Sequence, residues 1–230
     1  MDELLCLSAT RQASLIREHK TSSRELVEGH LRQICRINPE INAAVDLLAG
    51  SALIQARLAD EAIARGDAVG PLHGVPFSIK DSIEVAGTRT TAGTVGRREA
   101  PPSAGDAAVV ARLRAAGAIP IAKTNLPDLL FAFETDNLIF GRTNNPYNIA
   151  RTSGGSSGGE AALIAAGGSP IGLGSDCAGS VRVRPHFAAS RASSRLPVVC
   201  RAPGIIRPRA AGSNRSGRSG PWHAAWKISR

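Results

Sequence analysis

Residues 152–183 read TSGGSSGGEAALIAAGGSPIGLGSDCAGSVRV, and the remainder of the chain takes its meaning from this stretch. Two serines with glycine-rich flanks, Ser156 and Ser180, stand 24 positions apart. The first precedes an Ala-rich helical run, Glu160 to Ala166. The second closes a Gly-Ser-Asp-Cys-Ala-Gly-Ser turn that leads into Val-Arg-Val. Glycine beside serine permits φ > 0 and lets the backbone approach a ligand closely. Successive N–H groups in such turns can converge on one point and stabilise an oxyanion, and a hydroxyl at that point suits nucleophilic acyl transfer. The same composition also serves turns and linkers, so context must decide.

Two further blocks supply that context. Gly74-Val-Pro-Phe-Ser-Ile-Lys80-Asp81 is an apolar strand ending in a lysine. Lys123-Thr-Asn-Leu-Pro-Asp128 runs on to Gly141-Arg-Thr-Asn-Asn-Pro-Tyr147. Together with the long G-G-S-S-G-G-E-A-A and G-L-G-S-D-x-A-G-S-V-R patterns, and the spacing of Lys80, Ser156 and Ser180, these blocks make the chain resemble the amidase signature family. Its members are Ser-Ser-Lys hydrolases that include bacterial amidases, fatty acid amide hydrolase and the glutamine-hydrolysing component of an amidotransferase. The resemblance covers about residues 20–183 and then stops.

The resemblance implies an α/β amidase signature fold, a mixed β-sheet core covered by helices, truncated here because family members are longer. It implies hydrolysis of a carboxamide C–N bond in a small-molecule amide through an acyl-enzyme, without cofactor or metal. Ser180 would be the nucleophile, Ser156 the bridging serine after a cis peptide bond, and Lys80 the base. The backbone of Cys177, Ala178 and Gly179, with Ser180, would form the oxyanion hole. Ala178 stands where many members have glycine, a minor departure, and Cys177 contributes its N–H rather than a nucleophilic thiol. Asp176 and Arg182 would support the turn and Ser157 would cap the following helix. Asn125, Thr143 and Asn144 sit in loops that can border the site, and His73 reads as structural. Lys80 must be neutral to accept a proton, which burial favours. Homo-oligomers occur among full-length members.

Two rivals stand beside this reading. The glutamine-hydrolysing component of an amidotransferase is disfavoured because Leu126-Pro-Asp-Leu-Leu-Phe-Ala-Phe-Glu134 lacks the Met-Asp-Glu-Phe pattern associated with it. A non-enzymatic nucleic-acid binder is suggested by the formal charge of +9 but contradicted by where the charge lies. Residues 1–183 hold 18 Lys+Arg against 19 Asp+Glu, whereas residues 184–230 hold 10 Lys+Arg and no acid. No nucleic-acid partner is therefore expected. The acidic start MDELLCLSATRQASL has no secretory pattern, and no run of 18 apolar residues suggests a membrane span. Cys6, Cys35, Cys177 and Cys200 show no metal-ligand spacing. A cytoplasmic protein with reduced thiols is the expectation.

Periodicity and breakers predict a helix from a Ser22/Glu25 capping box to Ile37, ended by Asn38-Pro39, and a second helix over 49–65, closed by Gly66. Strands are expected at Val75–Ile79, Ile119–Ala122, Pro170–Leu173 and Val181–Val183, with a helix over 106–116. The alternation implies a helix-covered α/β sheet. Residues 1–183 read as the N-terminal part of an amidase domain.

Residues 184–230 read as an aberrant basic, disordered tail. Shifting the codon frame by one base supplies a more specific account. Trp has a single codon, so Trp222-His223 forces an alanine codon in the shifted frame and Trp226-Lys227 a glutamate codon. The shifted frame permits Gly-Pro-Met-Ala-Arg-Ser-Val-Glu-Asp-Leu around these positions, which looks like a later motif of the same family. A lost base near codon 184 is therefore the expectation, and with it a truncated chain inactive by itself. Sequencing the gene across codon 184 should reveal a long open frame carrying a GPMARS-like segment. A stop-ridden shifted frame would dismiss the idea.

Overall fold

The computed structural model of the chain describes residues 3–176, Ser180 and the short segments Val198–Val199 and Ala225–Trp226. Strand 181–183 of the sequence reading, and most of residues 184–230, lie outside the described residues. After a short 3-10 turn come helix α1 (Ala9–Arg17), helix α2 (Ser23–Ile41), strand β1 (Ala44–Leu47) and helix α3 (Ala49–Ala64). Strand β2 (Pro76–Lys80), helix α4 (Ala108–Ala115), strand β3 (Ile119–Thr124), strands β4 (Asn144–Asn145) and β5 (Asn148–Thr152), helix α5 (Gly158–Ala165) and strand β6 (Gly172–Leu173) follow. Strands β7 (Val198–Val199) and β8 (Ala225–Trp226) pair antiparallel with each other.

Helix α2 begins where the capping residues predict: the Ser22 hydroxyl accepts from the Glu25 N–H at 2.9 Å, while the Glu25 carboxylate accepts from Thr21 at 2.7 Å. Its end differs from the expectation. Pro39 lies inside the helix, which runs to Ile41. A proline in the last turn forfeits only one i→i−4 bond, and the stop is made by Asn42 in the left-handed region, φ 48°, a conformation asparagine tolerates. Asn38 then turns the chain into β1. Its Oδ1 accepts from the Ala43 and Ala44 N–H groups, both at 2.8 Å, and its Nδ2 donates to the Ala44 carbonyl at 2.8 Å. Helix α1, which the sequence reading omits, is capped by Ser8, whose hydroxyl accepts from Arg11.

The central sheet has the order β1-β3-β2-β6. Strand β1 is antiparallel to β3, whereas β2 runs parallel to both β3 and β6, so the sheet is mixed. One apolar cluster joins Ala13 and Ile16 of α1 and Val110 and Leu113 of α4 to Phe77 and Ile79 of β2. A second joins Val27 and Ile34 of α2, Ala52 and Ala56 of α3 and Leu163 of α5 to Ile119 and Ile121 of β3. Because three strands run the same way, the ends of β2, β3 and β6 deliver Lys80, Thr124 and the chain leading to Ser175 to one edge of the sheet. Open α/β sheets bind ligands at such carboxyl ends.

Glu160, in the first turn of α5, locks that helix onto this edge. Its carboxylate accepts from the Ser78 hydroxyl on β2 and from the Thr124 hydroxyl on β3 at 2.8 Å. The third strand contributes space: a Cβ at Gly172 would land on the Glu160 carboxylate. Gly172→Ala is accordingly expected to destabilise the protein by about 1–3 kcal/mol, the usual cost of overpacking. Asn38→Ala, which strips three hydrogen bonds from the α2–β1 turn, should cost about 2 kcal/mol. Urea midpoints measure both, and wild-type midpoints would refute these assignments.

Candidate active site

Lys80 ends β2 with its side chain fully buried. A buried amine needs hydrogen-bond partners, and three hydroxyls surround this one. Lys80 Nζ lies 2.7 Å from Ser156 Oγ, 2.8 Å from Ser157 Oγ and 3.1 Å from Ser175 Oγ. Ser156 Oγ lies in turn 2.8 Å from Ser180 Oγ. Lys80, Ser156 and Ser180 thus form one continuous chain of hydrogen bonds. Ser156 is 1 % exposed and Ser180 6 %, so the whole line is buried.

The glycines around Ser156 act differently from one another. Gly154 has φ +78°, the conformation expected of the motif, and the Gly155–Ser156 peptide bond is cis. At Gly155 the need is for space, because a Cβ would meet the backbone of residues 132–134 at 2.8–2.9 Å. The conformational freedom expected around the serine is therefore used in only part of the motif; elsewhere the glycines permit close packing.

Ser157 occupies the N-cap position of α5, but its side chain makes no capping bond. Its hydroxyl donates to the Ser175 carbonyl at 3.2 Å and receives the Lys80 amine. This corrects the expected capping role: the hydroxyl is drawn to the buried amine rather than to the helix N–H groups. Asp176 is buried at 2 % exposure. Cys177, Ala178, Gly179 and Arg182 lie outside the described residues.

The loop polar residues stitch the scaffold. Asn125 donates to the Gly141 carbonyl and Thr143 Oγ1, both at 3.0 Å, while Thr143 donates to the Asn42 carbonyl at 2.7 Å. Asn144 donates to the Glu40 carbonyl at 2.7 Å, and His73 Nε2 bonds the Ala59 carbonyl at 2.9 Å. Sequence reasoning missed the parts played by Ser175 and Glu160. A period-two reading of β2 would have placed Ser78 on the same face as Lys80, yet no local signal links either residue to Ser175 or Glu160. Among the described residues no group of three or more His, Cys, Asp or Glu could hold a metal ion. No helix among them is long and apolar enough to cross a membrane.

Comparison with known proteins identifies the family. Residues 25–187 match the family model named Amidase. A Mycobacterium bovis protein named as a putative amidase, AmiB2, is 41 % identical over 181 residues, covering 79 % of this chain and 38 % of its own length. A glutamyl-tRNA(Gln) amidotransferase component from Synechococcus sp. CC9605 is 41 % identical over 184 residues, covering 80 % of this chain and 37 % of its own. The solved structure of a bacterial aryl acylamidase of the amidase signature enzymes superposes with a TM-score of 0.81 at 30 % identity, covering 97 % of this chain and 45 % of that one. The chain thus spans about two-fifths of the length of the curated relatives it matches. The match over residues 25–187, which holds the strand of Lys80 and both serine-bearing turns, makes the chain a member of the amidase family.

Proposed function

We propose that residues 1–183 carry the nucleophile, relay and base of an enzyme that hydrolyses a carboxamide C–N bond through an acyl-enzyme. The observation that supports this most is the buried line Lys80 Nζ–Ser156 Oγ–Ser180 Oγ, with steps of 2.7 and 2.8 Å. A serine hydroxyl attacks poorly unless its proton has somewhere to go. Here Ser180 Oγ would attack the amide carbonyl carbon while its proton passes to Ser156 and the Ser156 proton passes to neutral Lys80. Hydroxyl hydrogens rotate, so the same line of heavy atoms can run in reverse. Ser156 would then protonate the leaving amine as Lys80 returns its proton, and water would attack the acyl-Ser180 ester by the same route.

Burial of Lys80 works in the required direction, since an ammonium removed from water is penalised relative to the neutral amine. The N–H groups of residues 177–180 would hold the oxyanion, a contribution of roughly 3–4 kcal/mol per donor. Asp176 and Arg182 would steady that turn. Ser157, bonded both to Lys80 and to the Ser175 carbonyl, would hold the amine in line.

A fluorophosphonate probe with mapping by mass spectrometry tests the assignment in the chain as it stands, because labelling reads the activated serine and needs no turnover of an amide. The adduct is expected on Ser180 and should vanish in Ser180→Ala. Lys80→Ala and Ser156→Ala should slow its formation by several orders of magnitude, as expected for loss of a base or its relay. An adduct on Cys177 instead would move the nucleophile, and equal rates in Lys80→Ala would remove the base.

A further inference from the structure

The turn that carries Ser156 is held from outside by a side chain with no part in the proposed proton transfer. Thr135 is fully buried. Its hydroxyl donates to the Gly154 carbonyl at 2.8 Å and accepts from the Gly158 N–H at 3.1 Å. A threonine hydroxyl has one hydrogen to give, and here it goes to Gly154 while a lone pair serves Gly158. The two bonds close a clasp over the three residues between them, Gly155, Ser156 and Ser157.

The turn needs such a clasp. Three of residues 154–158 are glycine, the residue with the widest backbone freedom. Gly158 opens α5, and its N–H is one of the groups that a helix start leaves without an internal partner. The N-cap residue Ser157 makes no capping bond; its hydroxyl is bonded to Lys80 and to the Ser175 carbonyl. Thr135 therefore supplies from elsewhere in the chain an acceptor at the helix start. The tolerance is narrow, because Ser156 Oγ must stay 2.7 Å from Lys80 Nζ and 2.8 Å from Ser180 Oγ, and a displacement of about 1 Å takes such a contact out of hydrogen-bond range.

The clasp is itself anchored to the central sheet. The Thr135 carbonyl accepts from the Thr143 N–H at 2.8 Å. Two residues on, Asn137 Nδ2 donates to Asn125 Oδ1 at 2.8 Å and to the Leu126 carbonyl at 2.7 Å, immediately beyond β3, the strand paired with that of Lys80. Packing leaves the turn no slack on this side. A Cβ at Gly155 would meet the backbone of residues 132–134, and one at Gly158 would strike the Thr135 and Ser153 hydroxyls.

We propose that Thr135 is a positioning residue for the proton relay: its hydroxyl, bonded to Gly154 and Gly158 together, fixes the turn that presents Ser156 to Lys80 and Ser180. The proposal rests on the reading of Ser156 as the relay.

Thr135→Val keeps the shape of the side chain and removes the hydroxyl. The rate constant for fluorophosphonate labelling of Ser180 should fall roughly 10- to 100-fold in this variant, the scale of a misplacement near 1 Å. Thr135→Ser retains the hydroxyl and should label within about threefold of wild type. Ser22→Ala, which strips the cap of α2 beside the opposite end of β2, loses stability without touching the turn and should label at the wild-type rate. All rates are taken on the folded baseline of each variant's urea curve. Wild-type labelling in Thr135→Val overturns the proposal, as does a loss in Thr135→Ser or in Ser22→Ala equal to that in Thr135→Val. Should Thr135→Val fail to fold, Thr135→Ala, which removes the same hydroxyl and relieves the crowding beside Gly158, decides in its place. Ser156→Ala measured alongside keeps the two readings apart. Undiminished labelling there removes the relay itself, whereas slow labelling there with normal labelling in Thr135→Val removes only the clasp.

Discussion

The amine of Lys80, sealed at the end of a central strand, is the constraint from which the rest of this architecture follows. A buried polar group without partners costs about 1–3 kcal/mol, and a charged one more. Satisfying it takes hydroxyls from two separate segments, residues 156–157 ahead of α5 and Ser175 beyond β6. Both must converge on the end of β2. Parallel pairing of β2 with β6 brings Ser175 there, and the cis Gly155–Ser156 bond lies where the other segment arrives.

A second buried system, Glu160, fixes the position of α5. The helix alone contributes little amphipathic drive, since Gly158 through Leu163 are all buried. Its orientation comes instead from a carboxylate that reaches Ser78 and Thr124, with room left by Gly172. These buried contacts outweigh the ion pairs on the surface. Arg24–Glu28 and Arg57–Glu61 join helical neighbours with arginines 67 % and 68 % exposed, and water and salt screen such pairs so that they contribute little.

Two lysines on successive strands of the central sheet, β2 and β3, show how context separates identical side chains. Lys80 meets three hydroxyls, and Lys123 meets a carboxylate. Both follow apolar strand residues in the sequence, and nothing local distinguishes them. The difference arises from which sheet face each occupies and from the loop of residues 89–91, which folds back over Asp81 and Lys123.

Much of the scaffold is legible in the chain itself. The Ser22 cap, Gly66 after α3, the apolar run into Lys80 and the glycine-flanked serines each carry a local physical signal, and each lies where that signal predicts. The stop of α2 is not, because Pro39 tells only that one hydrogen bond is missing, while Asn42 in the left-handed conformation ends the helix. The short β4–β5 hairpin carries little local signal, whereas helix α1 does carry one, a Ser8 cap and buried residues Ala9, Gln12, Ala13 and Ile16 at helical spacing, that the sequence reading leaves unused. The residue types and spacing of Lys80, Ser156 and Ser180 belong to the sequence alone. Their joining into one hydrogen-bonded line, the recruitment of Ser157 away from its cap, and the capture of Asp81 by Lys123 were decided by tertiary structure. Those contacts link residues 24 to 77 positions apart, and only burial, which removes water as the competing partner, makes them obligatory.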